Sequence, residues 1–126
     1  MNRVLTLSSD IQYFSEVKNS LKSKNEMEIS IFTNSLDMVE NLLVRYSDLA
    51  ILDVDLLGNQ VSNMIHVIHS IHRSTKIVLF LSADKMDLCT AALSLGIISH
   101  QVKPVSVDTT CEIIGSILQI PSSLAK

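Results

Sequence analysis

The chain has no tryptophan, three glycines, two prolines and two cysteines among 126 residues, and only 4% of its residues are aromatic. The glycines stand singly at 58, 96 and 115, and none follows the first strand-like run. A glycine-rich phosphate loop is therefore missing, which argues against a small nucleotide or flavin enzyme. Cys89 and Cys111 lie in apolar-periodic segments, where buried free thiols of a cytoplasmic protein are expected and a disulfide is the alternative. Basic residues are not in excess: ten face thirteen acids, net charge -3, and no nucleic-acid or membrane electrostatics follow. No stretch approaches the roughly 18 apolar residues of a membrane span. The N-terminus carries no signal-peptide pattern, so a cytoplasmic location is expected. There is no repeat, low-complexity run or internal linker.

What the chain does have is alternation. Hydrophobic residues make up 47% and charged residues 18%, enough for one domain over 1–126, with 119–126 as a tail or the start of a connection to an output domain. Five runs read as buried strands: "RVLTLS" (3–8), "EISIFT" (28–33), "LAILD" (49–53), "KIVLFLS" (76–82) and "IISHQV" (97–102). Helical spacing fills the gaps. Its stripes are Tyr13, Phe14, Val17 and Leu21; then Leu36, Val39, Leu42, Leu43 and Tyr46 behind a cap at Asn34 or Ser35; then Val61, Met64, Ile65, Ile68 and Ile71. Leu88, Ala91, Ala92 and Leu95 form the next, with Asp84 as candidate cap and Gly96 as stop, and Val107, Cys111, Ile114 and Leu118 the last.

Strand and helix alternating five times imply a doubly wound parallel sheet covered by helices on both faces. Such sheets work at the carboxyl ends of their strands. Those ends carry Ser8, Ser9 and Asp10, then Asp53 and Asp55, then Ser82, and finally Lys103. The two acids closing the apolar run "LAILDVD" need a reason, because burying a carboxylate is costly.

Three segments in order along this edge, "DLAILDVDLLGN" (48–59), "VLFLSAD" (78–84) and "ALSLGIISHQVKP" (92–104), resemble the receiver domain of bacterial two-component response regulators. The resemblance covers the whole chain and implies a flavodoxin-like sheet of five parallel strands with five helices. It places the phosphoacceptor at Asp53, the switch hydroxyl at Ser82 and the phosphoryl-binding lysine at Lys103. The switch-aromatic position falls on His100, either a rotating switch side chain or a polar residue of an edge strand. Phosphoryl transfer onto a carboxylate crowds negative charge, so a hydroxyl and an ammonium nearby fit that chemistry. The implied partner is a histidine kinase or phosphotransfer protein.

One departure matters. The family's metal-holding acidic pair aligns with Ser8 and Ser9, whereas a one-residue slip would align it with Ser9 and Asp10. Magnesium prefers carboxylate and water oxygens, so Mg²⁺ is expected to bind weakly, through Asp53, Asp55 and Asp10. A degenerate receiver acting as a phosphorylation-independent interaction module is the alternative. His66, His69 and His72 fan out over about 120° of a helix and are expected along its solvated margin rather than on zinc. The low charge of 86–102 suggests a homodimer or partner contact through the fourth helix, fifth strand and fifth helix.

Overall fold

Each apolar run pairs with its neighbours in parallel. In the computed structural model, which describes residues 2–22 and 27–118, the strands are β1 (Asn2–Leu7), β2 (Met27–Phe32), β3 (Leu49–Asp53), β4 (Lys76–Leu81) and β5 (Ser99–Val102). Their order is β2-β1-β3-β4-β5. The connecting helices are α1 (Ile11–Lys22), α2 (Ser35–Val44), α3 (Val61–Ile71), α4 (Met86–Ala92) and α5 (Val107–Ile117), and a single helical turn, Val54–Leu57, leads out of β3. None of the described helices is long and apolar enough to cross a membrane. Residues 119–126, the expected tail, lie outside the described residues.

Alternation along the strands explains why they read as continuously apolar. Leu5, Leu7, Ala50, Leu52, Ile77, Leu79 and Leu81 face Met38 and Leu42 of α2, the apolar stripe of α3, and Cys89 and Ala92 of α4. Val4, Leu49, Ile51, Val78 and Phe80 face Phe14, Val17 and Leu21 of α1 and Ile114 of α5. Both faces of β1, β3 and β4 are thus covered, and a polar residue there would be buried whichever way it pointed.

Thr6 is such a residue. It is fully buried in β1, and its Oγ1 has no hydrogen-bond partner among the described residues. A buried hydroxyl left unpaired costs free energy that an apolar group of the same shape does not. Thr6→Val is expected to stabilise the protein by about 1 kcal/mol, read from the urea midpoint at unchanged m-value. A loss of stability would mean that the hydroxyl has a partner.

Some expected stripes shift. In α2 the inward residues are Met38 and Leu42 with Val39 packed beside them, while Leu36 and Leu43 are 67% and 66% exposed. The segment is apolar on two sides, and tertiary packing selects one of them. Asn34 caps α2 as expected, its side chain accepting from Asp37 N at 2.9 Å. The helix ends at Val44, because Arg45 turns extended and its guanidinium pairs with Glu28 at 2.9 Å, so Tyr46 lies past the helix. Asp84 does not cap α4: it sits inside a 3-10 turn, Ala83–Lys85, closed by the Lys85 N–H on Ser82 O. Ala91 is exposed, and Cys89 takes the buried place on α4. In α5 Thr110 is buried with Ile114, while Val107 and Cys111 are only half-buried. Gly96 stops the fourth helical segment at φ +88°, a left-handed turn that L side chains rarely adopt, and β5 starts only at Ser99. Neither Cys89 nor Cys111 forms a disulfide among the described residues, and burial pushes the Cys89 thiol up from its ordinary pKa.

Candidate functional site

The order β2-β1-β3 means that the chain leaves β1 to one side and returns as β3 on the other. Connections therefore diverge at the carboxyl ends of β1 and β3 and open a crevice there. Asp53, the last residue of β3, is 2% exposed and lies at that crevice.

Three groups hold its carboxylate. Ser8, fully buried just past β1, donates from Oγ to Asp53 Oδ2 at 2.7 Å. Its backbone N–H continues the ladder onto Phe32 O, which holds the hydroxyl in place. Lys103 Nζ donates to Asp53 Oδ1 at 2.8 Å, and the Asp55 backbone N–H reaches the same oxygen at 3.0 Å. That last bond turns the chain from β3 into the Val54–Leu57 turn, so the sequence Asp53-Val54-Asp55 returns a second carboxylate to the mouth.

Asp55 forms the other half. Ser82, beyond β4, donates to it from Oγ at 2.6 Å and from its backbone N–H at 3.1 Å, and Lys103 Nζ also reaches it at 3.0 Å. Burial raises the Asp55 pKa, but the Ser82 and Lys103 hydrogen bonds outweigh it and hold the carboxyl below its ordinary value. For Lys103 burial acts downward, and the two carboxylates outweigh it to push the ammonium above its ordinary value. Lys103 is placed by its own N–H on Leu81 O at 2.8 Å and precedes a cis bond to Pro104. The lysine thus bridges two acids, each of which is also held by a serine.

Asp53, Asp55, Ser82 and Lys103, expected at one edge of the sheet, meet there. Ser82, expected as the switch hydroxyl, bonds Asp55, and Ser8, expected as a degenerate acidic-pair position, is a direct partner of Asp53. The missed signal was a serine ending an otherwise apolar strand beside the acid-bearing one. Ser9 and Asp10 are exposed; Asp10 accepts from Tyr13 N at 3.3 Å at the start of α1, and its own N–H bonds Ser8 Oγ at 3.0 Å. Asp10 has no hydrogen bond to Asp53 or Asp55, and among the described residues no three His, Cys, Asp or Glu side chains gather into a group that could hold a metal ion. His66, His69 and His72 accordingly do not converge, and His72 Nε2 pairs with Leu42 O at 3.0 Å. His100 is half-buried on edge strand β5, opposite Leu79 and outside the cluster.

The donor set is short for Mg²⁺. An octahedral oxygen-loving cation wants several carboxylate or water oxygens, and both carboxylates here already share one ammonium. Ser8 brings a neutral hydroxyl that donates rather than coordinates. The mouth is arranged around its own lysine.

No protein-family model matches the chain, and no curated protein matches it in sequence. Solved structures do match. A response regulator from Thermotoga maritima is 22% identical at a TM-score of 0.82, over 94% of this chain and 98% of that one. A CheY-like response regulator receiver domain from Methanospirillum hungatei JF-1 is 18% identical at 0.82, over 94% of each chain. A third structure, described as a novel family of redox sensors in the streptococci evolved from two-component response regulators, is 14% identical at 0.82 over 99% of this chain and 54% of that one.

Proposed function

The chain has the fold of response-regulator receiver domains, and from that premise we propose that it is a signalling receiver, one domain over 1–126, that works as a phosphorylation-independent protein-interaction module. The observation that carries this is the Ser8 hydroxyl on Asp53 at 2.7 Å, in a mouth where Lys103 already spans both acids. Phosphoryl transfer to Asp53 needs a divalent cation to collect the charge developing there, and two neutral serines stand where a carboxylate pair would hold it. The streptococcal redox sensors, described as evolved from two-component response regulators, support a receiver fold turned to another task.

A second reading, phosphoryl acceptance on Asp53 from a histidine kinase or phosphotransfer protein, is favoured by one feature: Lys103 and Ser82 both reach the Asp53–Asp55 pair. Treating the protein with a small phosphodonor in Mg²⁺ and weighing it intact separates the two. No added phosphoryl mass is expected. Stoichiometric addition, lost in Asp53→Asn, overturns the first reading in favour of the second.

The contact face proposed is α4, β5 and α5. Leu93 and Ile98 are each 52% exposed there and Val102 41%, and between Asp87 and Lys103 the only ionisable side chains are Cys89 and His100. Such a surface lacks the charges that discourage association. Sedimentation at rising concentration is expected to show weak self-association that Ile98→Lys abolishes. A strict monomer at the highest concentration removes the homodimer and leaves this face for a different partner.

A further inference from the structure

The far end of the sheet from Asp53 carries a second, unrelated concavity. A groove of about 730 Å³ runs between α3, the turn into β4, and the turn leading from α4 to β5. Its walls carry His66, His69, Arg73 and Lys76 and no carboxylate, although the chain has thirteen acids to ten bases.

The groove gathers several cations that no carboxylate meets. Elsewhere Arg3, Arg45 and Lys103 have carboxylate partners within 4 Å, while among the described residues Lys18 and Lys85 stand singly without one. Among the described residues, the side chains of His66, His69 and Arg73 have no hydrogen bond or ion pair, and Lys76 Nζ meets only the Ile117 carbonyl at 3.2 Å. Four nitrogen-bearing side chains thus line one concavity without a counter-charge. Gly96 helps to shape it: a Cβ there would lie 3.5 Å from His69 Cε1, so the bare glycine turn forms a wall against the imidazole. The 93–98 turn adds Ser94, a further hydroxyl on the rim, and no titratable group.

We infer that this groove is a binding site for a phosphate-bearing anion, a phosphate monoester or a diphosphate. Guanidinium suits phosphate because its planar fork donates two parallel hydrogen bonds, and the ammonium adds a point charge. The imidazoles donate from the α3 wall. The helix C-terminus nearby weakens anion binding, since the macrodipole is negative there, so the four side chains must outweigh it. A doubly charged ligand is therefore favoured over a singly charged one. The inference is independent of the reading of Asp53, which lies at the opposite ends of the strands.

Amide chemical shifts of the full chain, followed while inorganic phosphate and then pyrophosphate are added at constant ionic strength, test it. Saturable shifts confined to 66–76 and 94–98 are expected, tighter for pyrophosphate if the site takes a diphosphate and equal for the two if it takes a single phosphoryl group. The exposed double substitution Arg73→Ser with Lys76→Gln is expected to weaken binding at least about tenfold, or 1.4 kcal/mol, with the thermal midpoint unchanged. Non-saturating shifts, shifts spread over basic residues elsewhere, or unaltered affinity in the double variant would overturn the site.

Discussion

Lys103→Met is expected to destabilise the protein by about 2–4 kcal/mol at neutral pH. Removing one partner of a buried ion pair costs roughly 3–5 kcal/mol, because the other charge is left uncompensated. Asp53 is almost fully buried, but the Lys103 side chain is 30% exposed, so water screens part of the loss and the lower range applies. The sign of the pH dependence makes the test sharper. In the wild type Asp55 lies below its ordinary 3.8, so its contribution is present above that value and fades as pH falls through the depressed one. Lys103 lies above its ordinary 10.5, so its contribution is complete below that pH and is lost as pH rises through the raised value. Without the ammonium two carboxylates face each other, and protonating one relieves them. The variant should therefore gain stability relative to wild type as pH is lowered from 7 toward 4. Urea denaturation of both proteins across that range reads the variant's relative gain. A variant as stable as wild type at pH 7 would show that water, not Lys103, holds the two acids.

Restoring an acidic pair should have an effect of similar size and opposite ion dependence. Ser8→Asp with Ser9→Asp places a carboxylate against Asp53, where Ser8 Oγ now donates, and a second charge on the exposed residue beside it. In metal-free buffer the like charges are expected to lower the thermal midpoint by several degrees, equivalent to about 1–3 kcal/mol. With Mg²⁺ at a hundred times its dissociation constant, binding to the folded state alone returns about 2.7 kcal/mol. The wild type, short of ligands, should barely respond to the ion. Thermal unfolding of both proteins with and without Mg²⁺ checks this, and the phosphodonor assay on the double variant should then detect incorporation at Asp53. Equal Mg²⁺ stabilisation of the wild type would mean that Asp55 and Asp10 already supply the missing charge.

Both predictions rest on a cluster of which the sequence showed one half. Asp53, Asp55, Ser82 and Lys103 could be placed at one edge because each ends an apolar run, and strand ends in a parallel sheet share an edge. Their pairing was not legible. Whether Ser82 reaches Asp53 or Asp55 depends on the turn after β3, where the Asp55 N–H bonds the Asp53 carboxylate and swings the second acid across the mouth. Ser8 looked like a vacancy, since a residue type alone does not say which way its hydroxyl points. The α2 stripe shifted for a related reason: its apolar residues occupy two sides, and contact with Leu5, Leu7 and α3 kept Val39 and Leu42 inward, added Met38 and left Leu36 and Leu43 exposed.

The sequence by itself determined the alternation of strand and helix, the two-sided burial of the sheet, the left-handed stop at Gly96, and the set of polar residues delivered to the strand ends. These follow from local periodicity and backbone sterics, which act within a few residues of chain. Only the tertiary structure decided that one lysine spans two acids, that a serine is hydrogen-bonded to the buried one, and that His66, His69, Arg73 and Lys76 share a groove without a carboxylate. Hydrogen bonds and charge pairing are settled over a few ångströms in space, and residues 45 to 50 positions apart reach that distance only once the sheet has formed.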